Sequence, residues 1–211
     1  MDVITELLRP DAALVFAVVG EPMPYRRALS DGRGGRIRHP GADAWKFEVR
    51  KAAAKAILGA ADADPGLARR LNMERVTLAK GVASLMDGYW GPPEPWFPPG
   101  VPLALEATVW VLRPKTHFTK GGQHKKGVPV WPVVPPDASN FGKEIEDALG
   151  AWPTGRGKSR GGRALLYRDD AQIVDSRTIK HYADGTTPGA MIRVWVIDSD
   201  DQGLDLSQGS D

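Results

Sequence analysis

PPDASNFGKEIEDALG, residues 135–150, decides how the chain is read. An aspartate follows two prolines, and a short helix begins near Ser139. Each helical residue turns about 100°, so Phe141, Ile145, Ala148 and Leu149 fall on one apolar face that belongs to a core. Asn140, Lys143 and Asp147 stack on the opposite side. Asp137 stands at the helix start, where a carboxylate can cap free backbone N–H groups. A capped helix with a Lys143–Asp147 ion pair accounts for these charges without a function, and a binding or catalytic site has to be argued against that.

Outward from this helix the chain reads as one α/β domain. VPLALEATVWVLRP, residues 101–114, alternates as a long strand with Leu103, Leu105, Ala107, Val109 and Val111 on one side, apolar enough on both faces to be central or to lie in an interface. ALLYRD, residues 164–169, is an extended lead-in, and AQIVDSRTIKHYAD and MIRVWVID form two strands around a GTTPG turn. Before the helix, ALVFAVV, residues 13–19, reads as a buried strand. From Asp43 to about Gly59, Trp45, Val49, Ala52, Ala53, Ala56 and Ile57 recur at helical spacing, with Lys46, Arg50, Lys51 and Lys55 on a basic outer side. The expectation is a mixed sheet of about four strands with two main helices over residues 1–197. Residues 60–100 read as an insertion folded over the core; its Trp90, Trp96 and Phe97 sit among prolines and favour loop packing over base stacking.

Composition bounds the rest. At 211 residues the chain holds one full core. It has no cysteine, so disulfides and thiolate metal sites are excluded, nothing points to an oxidising compartment, and a cytoplasmic setting is the expectation. The apolar run at residues 12–20 is too short for a membrane span, and no membrane partner is expected. Net charge is only +2, yet the five aspartates of residues 198–211 set against it leave +7 on residues 1–197. That acidic tail reads as disordered. The positive charge gathers in loops: Arg26, Arg27, Arg36 and Arg38; Lys115, Lys120, Lys125 and Lys126; and Arg156, Lys158, Arg160 and Arg163. Loops of this kind can track a nucleic-acid backbone, giving affinity without sequence information.

A second acidic site, YRDDAQIV, raises the functional reading. Adjacent Asp169 and Asp170 repel unless something positive holds them. Oxygen ligands beside basic loops suit Mg²⁺, with Mn²⁺ as a substitute, and such an ion can activate water and neutralise charge on a phosphodiester. Lys143 would then face the scissile phosphate.

PDASNFGKEIEDAL followed by DDAQIVDSRTIK resembles the RusA-type Holliday junction resolvases, whose signature runs Asp-x-Asp-Asn-x-x-Lys-x-x-x-Asp-Ala-Leu, a short loop, then Asp-Asp-Ala-Gln-Ile/Val and a downstream Lys. The likeness is close over residues 133–182 and one of layout before them. It implies a homodimeric, Mg²⁺-dependent endonuclease that nicks four-way DNA junctions symmetrically, two-fold symmetry placing two sites on opposed strands. On this resemblance Asp137 takes the first catalytic position, Asp169 and Asp170 the acidic pair, and Asp147 a supporting carboxylate. Lys143 is the phosphate-facing cation, with Asn140 and Lys180 in support. Ser139 departs from the pattern, standing where the family has a second catalytic Asp. Either Asp137, Asp169, Asp170 and Asp147 or Glu144 gather the metal without it, or the chain binds branched DNA without cutting. A phage interaction protein, using its acidic tail and Pro/Trp segment, is the reading from a different class.

Overall fold

The alternation in residues 14–19 becomes a strand that buries Leu14, Phe16 and Val18 and turns Val15 and Val19 outward. The structure is a computed structural model that describes residues 13–25, 29–30, 36–37, 40–70, 95–150 and 164–197. In chain order it contains β1 (Leu14–Val19), β2 (Leu29–Ser30), β3 (Arg36–Ile37), α1 (Pro40–Ala63), α2 (Pro65–Arg70), β4 (Leu103–Val111), a 3₁₀ turn at Lys115–His117, α3 (Ala138–Leu149), a second 3₁₀ turn at Asp170–Gln172, β5 (Ile173–Tyr182) and β6 (Gly189–Val196).

The expected α/β architecture is present. Four strands pair in the order β1-β6-β4-β5. β4 runs parallel to β5 and antiparallel to β6, which makes the sheet mixed. A parallel pair needs a crossover, and α3 supplies it between β4 and β5. Leu103, Leu105, Ala107 and Val109 of β4 are buried, as the central position requires.

α1 and α3 pack together, α1 also against β1 and α3 against β5, so one face of the sheet is covered. Trp45, Val49, Ala53 and Ile57 of α1 meet Phe141, Ile145, Ala148 and Leu149 of α3 in a single core cluster. Truncation to Ala of a fully buried aliphatic side chain such as Ile57 or Ile145 would cost about 2–5 kcal/mol.

α1 is longer than its periodicity suggested, starting at Pro40 and passing through Gly59 to Ala63. Proline is tolerated in a first turn, and an exposed glycine with no atom within 4 Å of a built Cβ weakens a helix without ending it. The basic outer side of α1 is also corrected: Lys55 is exposed, but Arg50 is buried, its charge satisfied by the end of α3.

The expected insertion is not uniform. Its first residues belong to α1 and α2, and its last pair with the core: the Trp96 and Phe97 N–H groups donate to Leu165 O (3.2 Å) and Leu166 O (2.9 Å). Phe97 is buried and Trp96 packs edge-on against it at 6.4 Å, as the packing reading expected. Gln172 fastens this segment to the start of β5 through Nε2, which donates to Pro98 O (2.9 Å) and Val101 O (3.2 Å). Trp90, the tail at 198–211, Arg26, Arg27, Arg38 and the loop carrying Arg156, Lys158, Arg160 and Arg163 lie outside the described residues; of Arg36 only the backbone is described. Among the described residues no helix is long and apolar enough to cross a membrane.

Candidate functional site

A crossover helix must run against the strand that follows it, and three contacts fix how α3 lies along β5. Lys180 Nζ donates to Pro136 O (2.6 Å) and Val134 O (2.9 Å) at the start of the helix. Gly142 meets Thr178 in the middle, and the Ser176 hydroxyl donates to Glu146 Oε1 (2.5 Å) farther down. Gly142 is there for clearance, because a Cβ at that position would collide with Thr178 Oγ1. The result is a groove between α3 and the outer edge of the sheet.

Three parts of the groove carry chemistry. At its upper end, beside the C-terminal ends of β4 and β5, Asp137 occupies the N-cap position of α3 but makes no side-chain cap bond. Its carboxylate is exposed and bears on Lys180, whose pKa burial lowers while Asp137 opposes that shift. In the middle, Ser139, Gly142, Lys143, Glu146, Ser176 and Thr178 line a hollow of about 350 Å³. Just beyond the lower end, Asp169 accepts from the Ala171 N–H (3.0 Å) as the cap of the 3₁₀ turn that begins at Asp170, and both carboxylates are exposed. Nearby, the Tyr167 hydroxyl donates to Glu146 O (2.8 Å); burial holds its pKa well above the ordinary tyrosine value, and Glu146, Asp170 and Asp147 add to that.

The flank of α3 that faces α1 is structural. Lys46 Nζ reaches Asp147 Oδ2 at 3.0 Å and Glu144 Oε1 at 3.5 Å. Glu144 is buried, and desolvation raises its pKa while Lys46 pulls it back. The Lys143–Asp147 pair exists at 3.9 Å, long for an ion pair, and Lys143 also lies over the Tyr25 ring at 5.5 Å. Tyr25 in turn donates its backbone N–H to Asn140 O (2.7 Å), so the first loop rests on the motif helix.

These positions sort the expected site residues. Asp137, Ser139, Lys143 and Lys180 share the upper and middle groove. Asp169 and Asp170 stand beyond its other end, past the length of a 12-residue helix, about 18 Å. Asp147 and Glu144 are engaged with Lys46 instead. The ligand set of Asp137, Asp169, Asp170 and Asp147 is therefore not assembled within one chain. Among the described residues no three His, Asp or Glu side chains stand close enough to share an ion. In the middle hollow the carboxylate beside Ser139 is Glu146, which sequence reasoning passed over. Its place on the helix wheel, one turn beyond Lys143 and two beyond Ser139, was the available signal.

The basic connection after β4 is exposed and held. Arg113 grips Asp184 with Nε (2.8 Å) and Nη2 (2.5 Å), donates to Pro129 O (2.7 Å) and lies 4.0 Å over the Tyr182 ring. That contact lowers the Asp184 pKa and raises that of Arg113. Backbone bonds Thr119–Gln123 and Lys125–His117 fold residues 117–125 into a small hairpin. Lys115, Lys120, Lys125 and Lys126 are exposed on this connection.

No family model matches the chain. A stretch of 95 residues, 44% of this chain, is 28% identical to the uncharacterized protein YqaN of Bacillus subtilis (strain 168), and it spans 57% of that protein's length.

Proposed function

We propose that the chain is a branched-DNA endonuclease of the RusA type, acting on four-way junctions. The observation that supports this reading is that the two halves of the signature, separated in sequence, lie along one groove. Asp137, Ser139 and Lys143 line it from the start of α3 and Thr178 and Lys180 line it from β5, while Asp169–Asp170 stand beyond its far end. The upper end has the placement usual for ligands in α/β sheets, outside the carboxyl ends of the parallel strands. Lys143 and Lys180 supply positive charge for a phosphodiester, and the Lys115–Lys126 hairpin supplies an approach for the backbone.

Mg²⁺ is part of this proposal, and so is a homodimer. Asp137 and Asp170 stand apart within one chain, so a shared ion between them requires an Asp170 from a second copy. An ion so held would supply an activated water and neutralise charge at the phosphate. The chain's own contribution is to aim Lys143 across the groove from Ser176 and Thr178, and to keep Lys180 beside Asp137.

The binding half of the proposal is tested by competition. The purified chain is titrated onto a labelled four-way junction in chelator, with unlabelled junction or linear duplex of equal length as competitor. Junction is expected to compete at lower concentration than duplex. Equal competition would remove the structure-specific reading and leave a general DNA binder, and no binding to either would favour the interaction-protein alternative.

A further inference from the structure

Next to Asp137 lies an aromatic feature that the reading above does not use. Trp131, in the connection between β4 and α3, keeps 54% of its surface exposed while one side of its ring rests on His181, with centroids 4.7 Å apart and planes at 42°. His181 is itself stacked on Trp110 at 6.3 Å and 23°. The three rings make a short run anchored in β4 and β5, with the half-exposed Trp131 at its end. Trp131 also walls a hollow of about 410 Å³ whose other residues include Val134, Asp137, Thr178 and Lys180. The volume is in the range of small-ligand sites, roughly 300–1,000 Å³.

We infer that this hollow receives an unpaired nucleobase of a DNA strand, stacked on the outer face of Trp131; the inference rests on the branched-DNA reading. Every base has a π-face, so a flat ring takes any of them, and such recognition selects an unstacked strand rather than a sequence. A branch point offers such bases more readily than a continuous duplex, because unstacking costs least where pairing is already broken. The rim of the hollow suits a nucleotide better than an apolar peptide, since Lys180, Thr178 and Asp137 interrupt the hydrophobic wall. The exposed Lys115, Lys120, Lys125 and Lys126 stand on the same connection as Trp131 and attract a polyanion. A base seated there brings its adjoining phosphate to the start of α3, beside Asp137.

The test uses the full chain and its Trp131→Ala, Trp131→Leu and Trp131→Phe variants, titrated onto a labelled oligo-dT strand, a four-way junction and a linear duplex. Loss of stacking should weaken oligo-dT and junction binding by about ten-fold in the Ala and Leu variants. Duplex binding should be unchanged, and the Phe variant should stay close to wild type. Leu keeps apolar bulk without a ring, so wild-type affinity in that variant overturns the inference, as does an equal loss on duplex. If the wild-type chain prefers junction and the Ala variant does also with undiminished affinity, only this inference fails. If the wild-type chain binds none of the three DNAs, the branched-DNA reading fails and takes this inference with it.

Discussion

Arg50 of α1 donates through Nη1 to Ala148 O (2.8 Å) and Gly150 O (3.1 Å), closing the carboxyl end of the helix whose other end carries Asp137. Arg50 as a whole is 1% exposed, and burial draws its pKa down to about 10. It satisfies carbonyls that a helix end leaves without partners and sets positive charge where the helix dipole favours it. The position of α3, and so of the groove, depends on this contact.

Arg50→Met should therefore destabilise the fold by about 2–4 kcal/mol, because the two carbonyls remain buried without that donor. Arg50→Lys should recover only part of the loss, since one ammonium on a shorter reach replaces a planar fork. Urea denaturation measures both. A loss under about 1 kcal/mol for the Met variant would mean that water reaches these carbonyls and that Arg50 does not hold α3.

Gly142 should resist substitution for a reason that a partner change removes. Ala at this position improves helix propensity by about 1 kcal/mol, yet its Cβ collides with Thr178 Oγ1. Gly142→Ala alone should destabilise the fold by about 1–3 kcal/mol, as overpacking costs. In a Thr178→Ala background the same change should be neutral or stabilising. Equal effects in both backgrounds, read as thermal midpoints, would refute the close approach of α3 to β5.

Glu144 gives a pH signature. Its folded pKa is raised above the ordinary 4.5, chiefly by burial, so the native state holds the proton more tightly than the unfolded chain does. Stability should then fall as pH rises from 4.5 through the raised value, which is the sign set by linkage. Glu144→Gln should flatten the stability profile in that window. Asp184, with its pKa lowered by Arg113, acts in the opposite sense and below its ordinary 3.8, so the two effects separate. An unchanged slope above pH 4.5 in the Gln variant would show that Lys46 fully offsets the burial.

The fold was legible where one periodicity dominated. β4 and α3 follow from alternation and from a single apolar face, and the order of elements follows from their sequence. Arg50 was misread because a cation on a helix wheel shows direction and not what fills the space there, and the carbonyls it meets lie 98 and 100 residues away. Asp137 and Asp169–Asp170 were read as one cluster because a motif carries no distance; the antiparallel run of α3 against β5 sends them to opposite ends. Glu146 and Trp131 were missed because their significance depends on neighbours from β5, Ser176 and His181, that only the register supplies.

The separation of the acidic groups predicts complementation between defective chains. Asp137→Asn and Asp170→Asn should each abolish Mn²⁺ binding by calorimetry if an ion is shared between two copies. Co-refolding the two variants should restore binding to a fraction of the sites, because a mixed pair keeps one site with both carboxylates. Failure of the mixture to bind, with the wild-type chain binding, would place the ion within one chain by a rearrangement of the α3–β5 groove.

The most direct measurement maps cuts on a four-way junction labelled in turn on each strand, incubated with the full chain and Mg²⁺ beside linear duplex. Paired nicks are expected at symmetry-related positions in two opposed strands, absent from duplex and lost in Asp170→Asn and Lys143→Ala. Tight junction binding without nicks at any Mg²⁺ or Mn²⁺ concentration would contradict it, and would make Ser139 the mark of a protein that binds branched DNA and leaves it whole.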